Sequence, residues 1–405
     1  MDRINKVRGD ELKVGIIFTI TVVLFLCYLP GSEFFIPGAN EDEEVIYPGN
    51  IHEGPDGNIY IYDAKSAFIK VFSPSGKFVR KIGGIGEGPG FIKRADGVVF
   101  GFTPGNKLFF TEFFRGHNWI TLMNLNGKLD KTIPINIDSY FFGVSGAQAL
   151  PDDYFLVNIE FISKAHKKHT FFLQAFPSTL YLIDGKGNPC AKLKTTNYYR
   201  RISFLESGAD IGIPFSPSLS WHLFKDKYVI YTESTSKDLT VTDFKGKSKD
   251  TIKTPIPGPQ PVTNEDIDQW RKSIKERFYA TEHGKEWYNR FGKVAELYKD
   301  SVYPLKNCIH DFCVTPGGNL LITCPSSNPK ENRFWLLDPR GSKLTMVSVS
   351  AFQLKITNNF IFLLGEDDEG TTVIKCYNRK GNEKDDLLRL FVKTGKKTSS
   401  VRTND

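Results

Sequence analysis

Phe72-Ser73-Pro74-Ser75-Gly76, Met123-Asn124-Leu125-Asn126-Gly127 and Ile183-Asp184-Gly185-Lys186-Gly187 follow one plan. So do Thr242-Asp243-Phe244-Lys245-Gly246, Leu337-Asp338-Pro339-Arg340-Gly341 and Tyr377-Asn378-Arg379-Lys380-Gly381. An apolar residue or Thr is followed by Ser, Asn or Asp, then two variable positions, then Gly. Each copy ends a β-rich run, such as Ile69–Phe72, Ile120–Met123 or Phe334–Leu337. A Ser or Asx side chain can accept a hydrogen bond from its own backbone two residues on. Gly at the last position takes φ > 0 with no Cβ to clash. The plan therefore predicts six hairpin turns.

Around each turn the same larger unit recurs. A polar turn such as Pro55-Asp56-Gly57, Pro104-Gly105-Asn106 or Pro316-Gly317-Gly318 precedes a short apolar strand. A loop follows, then the strand entering the Gly turn, then a last strand. Four short strands per unit, at a period of tens of residues, are the signature of propeller blades. The expected fold is all-β, a six-bladed β-propeller over residues 43–393. Its sixth unit is read as ending in a strand over Leu387–Val392, and Glu43–Tyr47 as a strand that closes the ring. At 405 residues with 40% hydrophobic and 13% aromatic residues, the chain can bury a core of that size.

Two spacings break the rhythm. Unit 3 carries a long loop over Ile159–Ser178. The interval from Gly246 to Gly341 holds a helical pattern. Thr263 with Asp266 reads as an N-terminal cap, and Ile267, Trp270, Ile274 and Phe278 fall at helical spacing. Trp287, Phe291, Val294 and Leu297 give a second helix. Residues 262–300 are thus expected as a helical hairpin inserted between blades 4 and 5, either a structural cap or a docking surface. Residues 394–405 are polar, without apolar period, and read as a disordered tail.

The N-terminus has its own signature. Arg3, Lys6, Arg8 and Lys13 precede an uncharged apolar run from Val14 to Leu29. That pattern fits a signal anchor or a signal peptide, and both readings stand. The positive-inside rule places residues 1–13 in the cytoplasm and the remainder outside it. Residues 30–42 read as a linker. The net charge of +7 comes from scattered Lys and Arg interleaved with acids. It implies a solvated basic surface, and no nucleic-acid motif accompanies it. The cysteines show no CxxC spacing, which speaks against a zinc site. Cys308, Cys313 and Cys324 cluster in sequence, as buried thiols or with one disulfide among them.

Unit 1 and its exit carry the most distinctive stretch. It runs Gly57-Asn58-Ile59-Tyr60-Ile61-Tyr62-Asp63, then Ile69–Phe72, Gly76-Lys77-Phe78, and Gly83-Gly84-Ile85-Gly86-Glu87-Gly88-Pro89-Gly90-Phe91. This resembles the NHL repeat. The whole chain is similar to the bacterial six-bladed β-propeller proteins of the cell envelope. The resemblance implies that the acid after the second strand, Asp63 here, is a structural hydrogen-bonding residue. Glu112 and Glu233 stand at comparable positions.

The resemblance also implies two kinds of site. Some NHL-type propellers are lyases with a metal held by channel histidines. His52, His222 and His310 precede second strands here and are the candidate ligands for a divalent metal. Loop clusters are the other candidates: Arg115, His117 and Trp119 in unit 2, and Tyr199, Arg200 and Arg201 ahead of unit 4. Aromatic–Arg groupings are enriched at binding surfaces. No nucleophile elbow or paired-carboxylate motif is present, so no catalytic residue is assigned. The expectation is a membrane-tethered, extracytoplasmic module, held through residues 14–29, that binds a protein, peptide or glycan. The alternative is an NHL-like lyase or hydrolase with a channel metal.

Overall fold

The computed structural model describes residues 33–35 and 45–393. The segments 87–89, 93–96, 113–118, 138–140, 162–170, 176, 197–198, 205–209, 280–281, 283–284, 287, 290–302, 327–330 and 367–371 are excepted. The apolar run 14–29 and the tail 394–405 lie outside the described residues. Among the described residues no helix is long and apolar enough to cross a membrane.

Six four-stranded antiparallel sheets form the blades of a propeller. Blade 1 comprises Pro48–Glu53, Ile59–Asp63, Phe68–Phe72 and Phe78–Gly83, from the channel outward. Blade 2 comprises Val98–Phe102, Leu108–Glu112, Trp119–Met123 and Leu129–Pro134. Blade 3 has Phe141–Ala149, Phe155–Phe161, Ser178–Ile183 and Pro189–Thr196. Blade 4 has Leu219–Phe224, Tyr228–Glu233, Leu239–Thr242 and Ser248–Ile252, and blade 5 has Asp311–Val314, Leu320–Pro325, Asn332–Leu337 and Lys343–Val349. Blade 6 has Gln353–Ile356, Phe360–Glu366 and Thr372–Asn378.

The ring closes differently from the sequence expectation. The outer strand of blade 6 is Glu33–Phe35, within the segment read as a linker. It pairs antiparallel with Thr372–Asn378, Glu33 opposite Tyr377 and Phe35 opposite Lys375. Leu387–Val392 is not a strand but part of a helix, α2, Glu383–Lys393. Its local chemistry explains why. Asn382 caps the first turn by accepting from the Asp385 N–H, and acids fill that turn. Leu387 and Leu390 then bury together, three residues apart on one helix face. The Glu383 carboxylate, itself buried, accepts from Thr315 Oγ1 (2.6 Å), Asn319 Nδ2 (2.8 Å) and Gly317 N–H (2.9 Å). That clamp ties α2 to the first turn of blade 5.

Six clusters of buried side chains hold the ring, one at each blade–blade interface. Tyr60, Ile69 and Val71 of blade 1 pack with Phe100, Leu108 and Phe110 of blade 2. The closing interface joins Ile51, Ile59 and Ile61 to Phe360, Phe362 and Ile374. The alternation of strand residues explains this. One face of each blade meets the preceding blade and the other face the following one, so both faces are apolar.

The six Gly turns join the third and fourth strands of blades 1 to 5, and in blade 6 lead into α2. In the first five, Gly76, Gly127, Gly187, Gly246 and Gly341 have φ between 77° and 94°. Asp184 Oδ1 accepts from the N–H groups of Lys186 and Asn188, both at 2.9 Å, and Asp243 and Asp338 repeat the pattern. Glycine has a second use. A Cβ on Gly187 would lie 1.4 Å from the carbonyl oxygen of Pro134 in blade 2. One on Gly341 would lie 2.2 Å from the Lys253 carbonyl, beyond the outer strand of blade 4. The turn tips thus seat against the preceding blade, and Asn136 N–H donates to the Gly187 carbonyl at 2.9 Å.

Asp63 is a buried node. It accepts from Ser66 Oγ (2.6 Å) and from the Tyr47 and Lys65 N–H groups, and pairs with buried Lys70 at 3.1 Å. Burial alone would raise its pKa, but these bonds and the ammonium together hold it below the ordinary carboxylate value. Its contribution to stability is therefore present above the ordinary Asp range and is lost as pH falls through the depressed value.

The inserted helix α1, Asn264–Tyr279, starts at Thr263. Thr263 Oγ1 accepts from Asp266 N–H at 3.3 Å, and Asp266 accepts from Thr263 N–H at 2.8 Å. Ile267, Trp270 and Ile274 are half-buried. Most of the second expected helix lies outside the described residues. The long loop of unit 3 contributes Phe171–Ala175 to a three-stranded satellite sheet with Tyr199–Phe204 and Asp210–Gly212.

The two uses of glycine separate by mutation. Gly57 has φ +76°, with nothing within 4 Å of an added Cβ. Gly57→Ala is expected to cost about 1–2 kcal/mol, the left-handed strain alone. Gly187→Ala adds a backbone clash and is expected to cost clearly more, about 3 kcal/mol or above. Urea unfolding checks the difference, and equal losses would refute the inter-blade role.

Candidate functional site

The innermost strands of all six blades line one central channel of about 870 Å³. A strand shows alternate side chains to each side, so each inner strand can give only a few residues to the wall. Those few include His52, His222, Asp311, Cys313 and Lys355.

Lys355, on the inner strand of blade 6, was not anticipated as a site residue. Its Nζ donates to the Ile51 carbonyl at 2.5 Å and lies 3.2 Å from His52 Nδ1. The side chain is half-accessible to the channel yet deep in the molecule. Burial draws its pKa down to about 8, while Cys313 and Asp311 pull the other way. It forms no ion pair among the described residues. An ammonium has three donors, so two are engaged and one remains.

His52 packs edge-on against Phe100, with ring centroids 4.7 Å apart, and against Phe102 at 6.3 Å. Burial holds its pKa well below the imidazole value, with Lys355 and then His222 adding. The Lys355 ammonium can only donate, so His52 Nδ1 accepts and Nε2 carries the proton. His222, on the inner strand of blade 4, sits edge-on to Phe312 at 6.0 Å. Burial takes its pKa to about 4, with Lys355 adding. Both rings are neutral at pH 7.

Blade 5 supplies Asp311 and Cys313. Asp311 opens to the channel, but its depth pushes its carboxyl up, against a hydrogen bond from Ser220. Burial pushes the Cys313 thiol up to about 12. Blade 3 adds a polar network. Asn158 donates to Ser145 Oγ at 2.9 Å and accepts from Ser178 Oγ at 2.8 Å. Trp221 fits because Gly146 lacks a side chain; a Cβ there would meet the indole at 3.1 Å.

The three histidines do not converge. His52 and His222 line the channel, whereas His310 stands outside its wall, just ahead of Asp311, hydrogen-bonded to Asn332. The inner strand of blade 5 starts one residue later than the His310 alignment needs, so Asp311 takes the first place on it. Among the described residues no group of three His, Cys, Asp or Glu side chains is placed to hold a metal. Cys308, Cys313 and Cys324 are free thiols.

The loop candidates fall elsewhere. Arg115 and His117 lie outside the described residues. Trp119 opens the third strand of blade 2, half-buried, its carbonyl accepting from Thr111 Oγ1 at 3.2 Å. Tyr199, Arg200 and Arg201 lie on a strand of the satellite sheet rather than on a loop. Trp119 does not line the channel. Lys355 carried no sequence signal, because one Lys in a short apolar strand is common. Only the ring places it beside His52, some three hundred positions away.

No family model matches the chain, and no curated protein does. Solved structures do resemble it. A protein assigned as exported in Bacteroides fragilis has 12% identity and a TM-score of 0.47, over 87% of this chain and 95% of that chain. A member of the DUF4221 family from Bacteroides vulgatus has 10% identity and a TM-score of 0.47, over 87% and 98%. A catalytically inactive virginiamycin B lyase from Staphylococcus aureus, with quinupristin, has 14% identity and a TM-score of 0.41, over 85% and 99%. At these values the likeness carries nothing about ligand or reaction. The strand order itself makes this chain a six-bladed β-propeller.

The unusual lysine can be checked directly. Nitrogen NMR of the side-chain amines is expected to show Lys355 titrating near 8, below the ordinary lysine value of about 10.4. Lys355→Gln should remove that signal. A lowest lysine titration above 10 would contradict the site as described.

Proposed function

We propose that this chain is a membrane-tethered, extracytoplasmic binding module whose channel takes a carboxylate-bearing part of a protein, peptide or glycan. The observation that carries this reading is the Lys355 ammonium, which makes no direct ion pair among the described residues, feels Asp311 only at longer range, and has one donor to spare. A buried charge without a partner is costly, and an incoming carboxylate relieves that cost. Neutral His52, with its proton on Nε2, adds a donor that needs no desolvation of charge. Half-buried Phe102 and Trp221 offer apolar surface to the rest of the ligand. The channel volume falls within the range of ligand sites, about 300–1,000 Å³. The tether rests on the basic start and apolar run of residues 1–29. The envelope location follows from the same run and from the NHL-like first blade.

A thermal-shift panel tests the channel. Peptides with free or amidated C-termini form one arm, and uronic-acid or neutral disaccharides the other. Carboxylate members are expected to raise Tm, and a ligand at a hundred times its Kd stabilises by about 2.7 kcal/mol. Lys355→Met should abolish the shift while leaving the fold intact. Neutral and acidic members acting alike, or an unchanged response in Lys355→Met, would sink the reading.

The sign of the pH dependence follows from Lys355. Its cationic form dominates below about 8 and is lost above it. Affinity for a fixed carboxylate should therefore hold between pH 6 and 7.5 and fall about tenfold for each unit well above 8. His52 and His222 stay neutral throughout that window. Affinity that rises above pH 8, as measured by calorimetry, would contradict the assignment.

A further inference from the structure

The two faces of the propeller are unlike, and strand direction fixes which connections lie on which. Each innermost strand runs from one face, here the connector face, to the other, the hairpin face. The turns between first and second strands, and between third and fourth, lie on the hairpin face. The loops between second and third strands, and all connections between blades, lie on the connector face. Every long insertion therefore belongs to the connector face: the unit 3 loop, the satellite sheet and α1. So do the exposed apolar residues Tyr47, Ile85, Phe91 and Phe352. The hairpin face carries short turns instead. Each blade puts an exposed basic residue there: Lys77, Lys128, Lys186, Lys247, Arg340 and Lys380. The acids of these turns, Asp184, Asp243 and Asp338, accept from their own backbone N–H groups. Asp152, Asp153, Asp226 and Asp385 are further acids at this face.

The N-terminal strand decides the orientation. Glu33 pairs with Tyr377 at the hairpin end of blade 6, and Phe35 with Lys375 towards the connector end. The chain therefore enters the propeller from the hairpin face. The apolar run ends at Leu29, four residues earlier. Four residues reach at most about 14 Å. The neighbouring strand Thr372–Asn378 has seven residues and is about 23 Å long. A run seated in a membrane can thus hold the hairpin face near its surface, but not the connector face.

We infer that the hairpin face lies against an anionic lipid surface, its ring of basic residues opposite the headgroups, and that the connector face with its insertions points away from the membrane. The inference rests on the tethered reading and adds the orientation and the lipid chemistry. At about 14 Å or less, the basic residues stand within one to two Debye lengths of the headgroups at physiological salt. The exposed Tyr47, Phe91 and Phe352 and the loop candidates around Trp119 and Tyr199 are left on the free face.

Cys190 supplies a natural probe, an exposed thiol at the hairpin end of blade 3. The full chain is placed in nanodiscs of phosphatidylglycerol or of phosphatidylcholine. It is then treated with a polyethylene-glycol maleimide too bulky for a gap of that width. Modification of Cys190 is expected to be at least fivefold slower in anionic discs than in detergent. An Ile85→Cys thiol on the connector face should react equally in both. Combined Lys128→Glu, Lys186→Glu and Lys247→Glu should return Cys190 to the detergent rate, and so should high salt. A chain held in the disc with Cys190 unprotected, or with Ile85→Cys protected, overturns the orientation and leaves the tether standing. A chain that elutes apart from the discs overturns both.

Discussion

The close seat of the blade 3 and blade 5 hairpin tips on the preceding blade is the constraint from which the packing of the ring is best understood. At Gly187 and Gly341 the turn comes so near a neighbouring carbonyl that no side chain fits. The same residues hold φ values that L residues avoid. One residue type therefore satisfies a local and a long-range demand together. Gly127 and Gly246 approach the preceding blade less tightly, at 3.1 Å from the Ile82 side chain and 3.3 Å from the Lys192 carbonyl. The apolar clusters between blades supply the cohesion, and the glycines allow the approach that makes it.

Closure of the ring creates the channel, and the channel creates its chemistry. Lys355 and His52 belong to the last and first blades. They meet because the apolar cluster between blades 6 and 1 closes the ring and sets the two inner strands side by side. Depth then acts on each group in the direction its charge dictates. The ammonium and the imidazoles are lowered, and the Asp311 carboxyl and the Cys313 thiol are raised. The Lys355 ammonium shares the wall with the carboxyl groups of Asp311 and Glu160. The same strand directions sort the surface, with polar turns on one face and insertions on the other.

The departures from the sequence reading share one cause. Leu387–Val392 has apolar residues close enough together to pass for a strand. The helix wins because Asn382 and the acids after it cap a first turn, and because the edge it would have paired with is taken by Glu33–Phe35. Tyr199–Arg201 reads as a loop between blades, yet Phe171–Ala175 offers it a partner across an insertion. His310 reads as an inner-strand residue but falls one place short of the strand. In each case the deciding partner is distant in sequence.

The sequence by itself determined five of the six Gly turns with the strands they join, and the capped start of α1, because these depend on contacts a few residues long; the sixth leads into a helix instead of a strand. The structural role of Asp63 was legible through the NHL-like stretch around it, although its partner Tyr47 lies sixteen positions away. The blade count followed from the repeats. Tertiary structure alone decided which segment closes the ring, which histidines share the channel, and that Lys355 stands there unpaired. It also decided that the chain enters from the hairpin face. The physical reason is that these depend on which edges find partners across hundreds of residues, and on how deep a side chain then lies. Neither quantity is written in any local stretch of the chain.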